Sequence, residues 1–311
     1  MPANKIIFFG TPTIAKMILK TLVELKYDVV AVVTQPDRPG NRNKIFYSPV
    51  KQYAIEQQLK YFQPEKVSSI NAELAKFDAD LILTCAYGLL IPDSTLKIPR
   101  YHALNIHPSL LPKYRGPSPI NFAIFNNDKI TGTTLMLMTK ELDAGNIVAQ
   151  VDVKIDPRET YSSLIDKLTN ASIELIKKNI PKLFSDQLIS QPQNAKLATF
   201  TTKIDAQIQK INWHQSAIKI DALIRGLYDQ YPAFSIYEGM QIKILHAEVA
   251  TISPTNLPDG SIINIGRVGI LVKTADGGIL ITELQLPSKR PVLVKDLLNG
   301  RHCFKEQTQF N

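Results

Sequence analysis

Three side chains in this 311-residue sequence stand at a spacing that acyl chemistry could use. Asn105 and His107 lie two apart in Leu104-Asn105-Ile106-His107-Pro108, so on a strand both point to the same side of a sheet. Asp143 follows in Leu142-Asp143-Ala144-Gly145, a carboxylate in a turn ahead of a further strand. An amide NH2 can donate to an oxygen that gains negative charge in a transition state. An imidazole, with an unperturbed pKa of about 6.5, can relay a proton near neutrality. A carboxylate can orient that ring and favour its charged form. Ser109 is the one hydroxyl near His107 that could be a nucleophile, but nothing supplies a triad order. The inventory therefore fits direct attack by an acceptor amine better than a covalent intermediate. Taken singly, each residue has a plainer reading as a turn cap or a satisfied polar group. Their joint spacing, with the apolar Ser109-Leu110-Leu111-Pro112 between, favours chemistry.

The elements that must position these residues alternate along the first half of the chain. Lys5–Phe9 is a short apolar run ending at Gly10, followed by a helical period through Ile14, Met17, Ile18, Leu22 and Leu25. Tyr27–Val33 is rich in β-branched residues, as a buried parallel strand should be. Ser48 with Pro49 behind it is a helix start signal. Further strands are expected at Leu81–Thr84, Ala103–Ile106, Thr133–Met138 and Ile147–Val153, and a long amphipathic helix from Tyr161 to Leu188, interrupted at Pro181. This βαβ alternation predicts an α/β fold: an N-terminal doubly wound, Rossmann-like, mostly parallel sheet over residues 1–190. Ligands of such sheets bind at the C-terminal ends of strands, where Asn105 and His107 lie. Residues 191–208 read as a polar linker. Beyond it, over 209–311, a helix and five short β runs punctuated by Asp259-Gly260, Gly266 and Asp276-Gly277-Gly278 suggest a smaller OB-like β-barrel domain.

Several function classes are excluded at this level. The first βα turn, Gly10-Thr11-Pro12-Thr13-Ile14-Ala15, has one glycine where a dinucleotide fingerprint needs three, and Pro12 removes a backbone N–H from it. No Gly-Lys-Ser/Thr phosphate loop appears elsewhere, so neither NAD nor ATP is expected. Two cysteines, Cys85 and Cys303, make neither a disulfide scaffold nor a zinc site, and His102, His214, His246 and His302 have no metal-ligand spacing. No metal is expected. With no signal peptide and no long apolar run, the expectation is a soluble cytoplasmic protein without a membrane partner. Lys and Arg number 36 against 28 Asp and Glu, a net charge of +8. The excess is shared, 23 against 18 in residues 1–190 and 13 against 10 in 191–311, which is compatible with a polyanionic partner and equally with solubility alone.

Asn105-x-His107, Ser109-Leu110-Leu111-Pro112, Arg115-Gly116 and Asp143-x-Gly145 together resemble the signature of the 10-formyltetrahydrofolate-dependent formyltransferases. Within that superfamily, Phe9-Gly10-Thr11-Pro12, Thr34-Gln35-Pro36-Asp37-Arg38-Pro39 and Ser48-Pro49-Val50-Lys51 are similar to the branch that acts on methionyl-tRNA. The likeness continues through Ile211-Asn212-Trp213 and Ile224-Arg225-Gly226 to Asp296–Gly300. The resemblance implies transfer of the formyl group of 10-formyltetrahydrofolate to the α-amino group of methionyl-initiator tRNA; a monomer is expected. It implies that Asn105 steadies the oxyanion, that His107 assists proton transfer and that Asp143 supports His107. It further implies that Ser109, Leu110, Leu111 and Pro112 line the folate site. The loop from Gln35 to Phe46 would reach the tRNA acceptor end through Arg38, Arg42 and Lys44. Here Asn41-Arg42-Asn43-Lys44-Ile45 lacks the glycine-rich, doubly basic stretch usual in the family.

Two other functions remain open from the sequence. One keeps the chemistry and changes the acceptor to a small amine such as an amino sugar nucleotide, which needs neither the basic loop nor this chain length. The other is a noncatalytic RNA-binding protein, against which intact Asn105, His107 and Asp143 speak.

Overall fold

The computed structural model describes residues 4–39, 45–184, 189–229, 231–253, 255–300 and 302–311. The chain divides into two compact units: Met1–Pro119 with Ile130–Lys154 and Ile165–Thr201, and Ile120–Lys129 with Ile155–Leu164 and Thr202–Asn311.

The first unit is built on β1 (Lys5–Gly10), β2 (Asp28–Val33), β5 (Tyr61–Phe62), β6 (Leu81–Cys85), β7 (His102–His107), β8 (Ile130–Leu137) and β9 (Ile147–Lys154), with β3 (Arg38–Pro39) and β4 (Ile45–Phe46) forming a separate two-stranded ribbon. The main sheet runs β5-β2-β1-β6-β7-β8-β9. The first five strands in that order are parallel neighbours, whereas β8 and β9 run antiparallel at one edge. The sheet is therefore mixed. A parallel pair needs a long crossover, while β8 and β9 are joined by the short loop 138–146 and so return as a hairpin.

Side-chain alternation divides the core between the two faces of the sheet. Ile6, Phe8, Leu81, Leu83, Leu104 and Ile106 pack with Ile14, Ile18 and Leu22 of the helix Thr13–Glu24 and with Leu175, Ile176 and Ile180 of the helix Tyr161–Leu183. Ile7, Phe9, Ile82 and Ala103 pack on the other face with Val67, Leu74 and Tyr87. Asn105 and His107, two and four residues beyond Ala103, share that second face. The long helix is not interrupted at Pro181; it continues to Leu183. The proline falls in its last turns, where few further backbone bonds depend on it. Ser48 caps the helix Pro49–Glu56 as expected, accepting from Lys51 N at 3.1 Å.

The second unit holds an antiparallel sheet of β10 (Ala233–Tyr237), β11 (Met240–Ala250), β14 (Gly278–Gln285), β13 (Gly269–Lys273) and β12 (Ile262–Gly266) in that spatial order, with β15 (Val292–Leu293) beside β14. The helix Ala217–Leu227, capped by Ser216, buries Ile220, Ile224 and Leu227 against it. The C-terminal residues lie along both edge strands: Asn311 exchanges two 2.8 Å backbone hydrogen bonds with Ile236, and Ile262 N donates to Thr308 O at 2.8 Å. Trp213 is buried in this core, its Nε1 donating to Ser235 Oγ at 2.9 Å.

Candidate active site

The carboxyl end of β7 and the loop behind it carry the site. Asn105 is half-buried, and among the described residues its amide has no hydrogen-bond partner. Its neighbour in register on β6 is Thr84. Thr84 Oγ1 and Tyr87 OH are buried hydroxyls that also lack a partner among the described residues. Burial pushes the Tyr87 phenol up to about 12. Cys85 lies between them in sequence, and burial pushes its thiol up to about 12 as well, which makes it an inert packing residue.

His107 is 4% exposed. Its Nε2 stands 2.9 Å from Tyr114 O, and its Nδ1 stands 3.6 Å from Asp143 Oδ1. A carbonyl and a carboxylate are both acceptors, so only a doubly protonated ring donates toward each of them. The structure thus brings together His107 and Asp143, which the sequence holds far apart. Asp143 reaches this position in the loop 138–146 with a left-handed backbone, φ 52°. Its Oδ2 accepts from Gly116 N at 2.8 Å. Two glycines permit the approach. A Cβ on Gly116, itself at φ 112°, would stand 2.6 Å from Thr201 O; one on Gly145 would stand 1.8 Å from Leu137 O.

The loop after His107 is held by hydroxyl and amide groups of β8 and β9. Thr134 Oγ1 donates to Ser109 O at 2.6 Å and accepts from Leu111 N at 3.1 Å, and Gln150 Nε2 donates to Leu111 O at 2.9 Å. Ser109 is fully buried, and its own hydroxyl donates to Lys113 O at 2.6 Å. Leu111 is buried as well, while Leu110 and Pro112 are half-buried. Residues 199–201 run beside this loop: Arg115 N donates to Thr199 O and Thr201 N to Arg115 O, each at 2.8 Å. The polar stretch that the sequence presents as a linker is thus hydrogen-bonded to the loop at the site. Within it, Gln193 bonds to the Arg115 side chain and to the carbonyls of Asp143 and Gly145, contacts that the sequence did not signal because a lone glutamine in a stretch without periodicity carries none.

Of the residues expected to reach tRNA, Arg42 and Lys44 lie outside the described residues. Arg38 begins β3, which pairs antiparallel with β4 through Arg38–Phe46 and Pro39–Ile45. The roots of this loop are tied down. The buried Lys51 ammonium is paired with Asp37 Oδ2, and Gln63 Nε2 donates to Asp37 Oδ1 and to Gln35 O, both at 2.8 Å. Burial pushes the Asp37 carboxyl up, but the bonds from Lys51 and Gln63 outweigh it and hold the group below its ordinary value. His102 is exposed at the start of β7, and His214 pairs with Asp259 at 2.9 Å in the second unit. Among the described residues no group of three or more His, Cys, Asp or Glu side chains could hold a metal ion, and no helix is long and apolar enough to cross a membrane.

The chain that carries this arrangement, a free amide beside a buried imidazole–carboxylate pair, has counterparts among known proteins in sequence and in fold. Residues 4–180 match the family Formyl transferase and residues 203–302 the family Formyl transferase, C-terminal domain. The N-formyltransferase of Helicobacter canadensis, in complex with folinic acid and dTDP-3-aminofucose, superposes with a TM-score of 0.68 at 21% identity, covering 90% of this chain and 98% of that one. HypX from Aquifex aeolicus, in complex with tetrahydrofolic acid, gives a TM-score of 0.64 at 18% identity over 94% of this chain, which spans only 46% of the HypX chain. These two likenesses establish the fold. At the level of sequence, the methionyl-tRNA formyltransferase of Malacoplasma penetrans is 40% identical over 303 residues, 97% of this chain and 95% of that protein. With 40% identity over 97% of its length, and both parts matched by formyl transferase families, the chain belongs to the methionyl-tRNA formyltransferase family.

Proposed function

We propose that the chain transfers the formyl group of 10-formyltetrahydrofolate to the α-amino group of methionyl-initiator tRNA, yielding N-formylmethionyl-tRNA for translation initiation. The observation that carries this reading is the unpartnered Asn105 amide next to the buried His107–Asp143 pair, in a chain that matches methionyl-tRNA formyltransferases over nearly its whole length. The folate donor supplies an activated formyl carbon. The amine forms a C–N bond to that carbon as the bond to the folate nitrogen breaks, and the proton lost by the amine is balanced by one gained at that nitrogen. Asn105 Nδ2 donates to the formyl oxygen as it gains charge. His107 moves the proton between the two nitrogens, and Asp143 supports the ring when it is charged. Leu110 and Pro112, only half-buried, face the folate, while Ser109 and Leu111 shape that wall from below.

Arg38, Arg42 and Lys44 make the acceptor-end contact in this reading, on a loop whose roots are fixed by Asp37, Lys51 and Gln63. The C-terminal sheet closes into an OB-like barrel that adds electrostatic grip on RNA; the C-terminal residues hydrogen-bonded along both edge strands support closure. By role, as distinct from the compact units, the chain divides into a catalytic part, 1–190, a connecting stretch, 191–208, and an RNA-binding part, 209–311, and the enzyme works as a monomer in the cytoplasm without a metal.

The test is formyl transfer from 10-formyltetrahydrofolate to methionine-charged initiator tRNA, beside a panel of small amines. Asn105→Ala is expected to lower kcat by about 10²–10³ while leaving donor binding in place. Arg42→Ala is expected to weaken use of the tRNA and spare the folate. Turnover on a small amine alone would move the chain to the other acceptor class, and unchanged kcat/KM in Arg42→Ala would overturn the loop assignment.

A further inference from the structure

The His107–Asp143 pair is closed into a ring by a residue with no part in the chemistry proposed above. Gln193 Nε2 donates to Asp143 O and to Gly145 O, both at 2.8 Å, while its Oε1 accepts from Arg115 Nε at 3.1 Å and Arg115 Nη2 at 2.7 Å. Arg115 lies between Tyr114, whose carbonyl faces His107 Nε2, and Gly116, whose N–H donates to Asp143 Oδ2. One three-residue segment therefore touches the imidazole and the carboxylate, and one side-chain amide ties that segment to the backbone that carries the carboxylate.

We infer that Gln193 is a positioning residue for the reaction: its amide, bridging Arg115 and the carbonyls of Asp143 and Gly145, holds the Asp143 carboxylate against His107. The inference rests on the formyl-transfer reading. Asp143 has a left-handed backbone, a state that aspartate tolerates better than most residues with a Cβ but that still lies above its other conformations, so a hold on its carbonyl favours it. In that conformation its carbonyl and that of Gly145 converge on one point, and two acceptors at one point need a group with two hydrogens. The Arg115 fork on the opposite side needs an acceptor with two lone pairs. A primary amide supplies both. Glutamate accepts but does not donate, and asparagine is one methylene shorter.

The experiment measures kcat and both KM values on methionyl-tRNA for the full chain, for Gln193→Glu, Gln193→Met, Asp143→Asn and the double variant Gln193→Met/Asp143→Asn. A displaced carboxylate predicts that either Gln193 change lowers kcat about 10- to 100-fold, with both KM values within about threefold of the parent. The double variant should be no slower than Asp143→Asn alone, since both changes act through the same carboxylate. Losses that multiply in the double variant, or a kcat within twofold of the parent for both Gln193 variants, would overturn the inference. If the parent turns over a small amine but not the tRNA, the acceptor reading fails and the same rate ratios are read on that amine. A readout without turnover is the ¹⁵N–¹H correlation of the His107 ring: it should shift in folded Gln193→Met and in Gln193→Glu. An unchanged His107 resonance in both would refute the positioning role even in an inactive preparation. Should Gln193→Met not fold, Gln193→Asn, which keeps the amide and shortens its reach, takes its place.

Discussion

Replacing Asp143 by asparagine changes one charge and almost no volume, so its effect can be worked from the geometry. Among the described residues the carboxylate makes two contacts, Gly116 N to Oδ2 at 2.8 Å and His107 Nδ1 to Oδ1 at 3.6 Å. An asparagine oxygen keeps the first contact, and its uncharged NH2 then faces Nδ1 in place of a carboxylate oxygen. The ring still donates from Nε2 to Tyr114 O, but a proton arriving at Nδ1 no longer meets a negative charge. At 3.6 Å and an effective dielectric constant of about 20, two full charges attract by about 5 kcal/mol. Only the part gained as the ring charges during reaction affects the rate, and a loss of about 3–4 kcal/mol corresponds to about 10²–10³. Single-turnover formyl transfer to methionyl-tRNA with saturating donor should therefore slow by that factor in Asp143→Asn, with Tm within a few degrees because Gly116 keeps its acceptor. A single-turnover rate within threefold of the parent would refute the electrostatic account. A raised KM for the donor at unchanged kcat would mean that the carboxylate binds substrate instead of supporting the ring.

Two further outcomes follow from contacts near the site and at the base of the basic loop. Asp37 titrates below its ordinary value when folded, so its contribution is present above the unfolded value near 3.8 and is lost as pH falls through that value to the lower folded one. The Tm advantage of the parent over Asp37→Asn, followed from pH 7 to pH 3, should hold at neutral pH and shrink below about pH 4; a pH-independent difference would refute the assignment. In Gly145→Ala the new Cβ would meet backbone, Leu137 O, at 1.8 Å, so the loop carrying Asp143 has to move. Both Tm and kcat should fall, and a variant with parental kcat would show that the loop does not need this approach.

The parts of the site that were legible in the sequence are those governed by local periodicity. Asn105 and His107 share a face because strands alternate, and Ser48-Pro49 marks its helix start because an N-cap and a first-turn proline leave a signature within two residues. The edge of the sheet was not legible. The apolar runs of β8 and β9 look the same whichever way the strands run; the short loop between them requires an antiparallel return, but nothing local places β8 antiparallel beside β7. Nor does any local rule join Asp143 to His107, or Lys51 to Asp37, since each pairing depends on where the chain returns after an intervening element.

The same limit explains why Gln193 was invisible and why its residue type is nonetheless constrained. Each member of the ring answers a different requirement: Gly116 and Gly145 leave space where a Cβ would strike backbone, Asp143 tolerates a left-handed conformation, and Gln193 supplies two hydrogens toward one side and two lone pairs toward the other. None of these requirements repeats with a helical or strand period, so none appears in a pattern of apolar residues. They share instead a single consequence, that the imidazole and the carboxylate are fixed with respect to each other by backbone and amide groups of the surrounding loops. Rate loss without loss of substrate affinity is therefore the behaviour expected when any one of them is disturbed, and it separates this ring from residues that hold the folate or the tRNA.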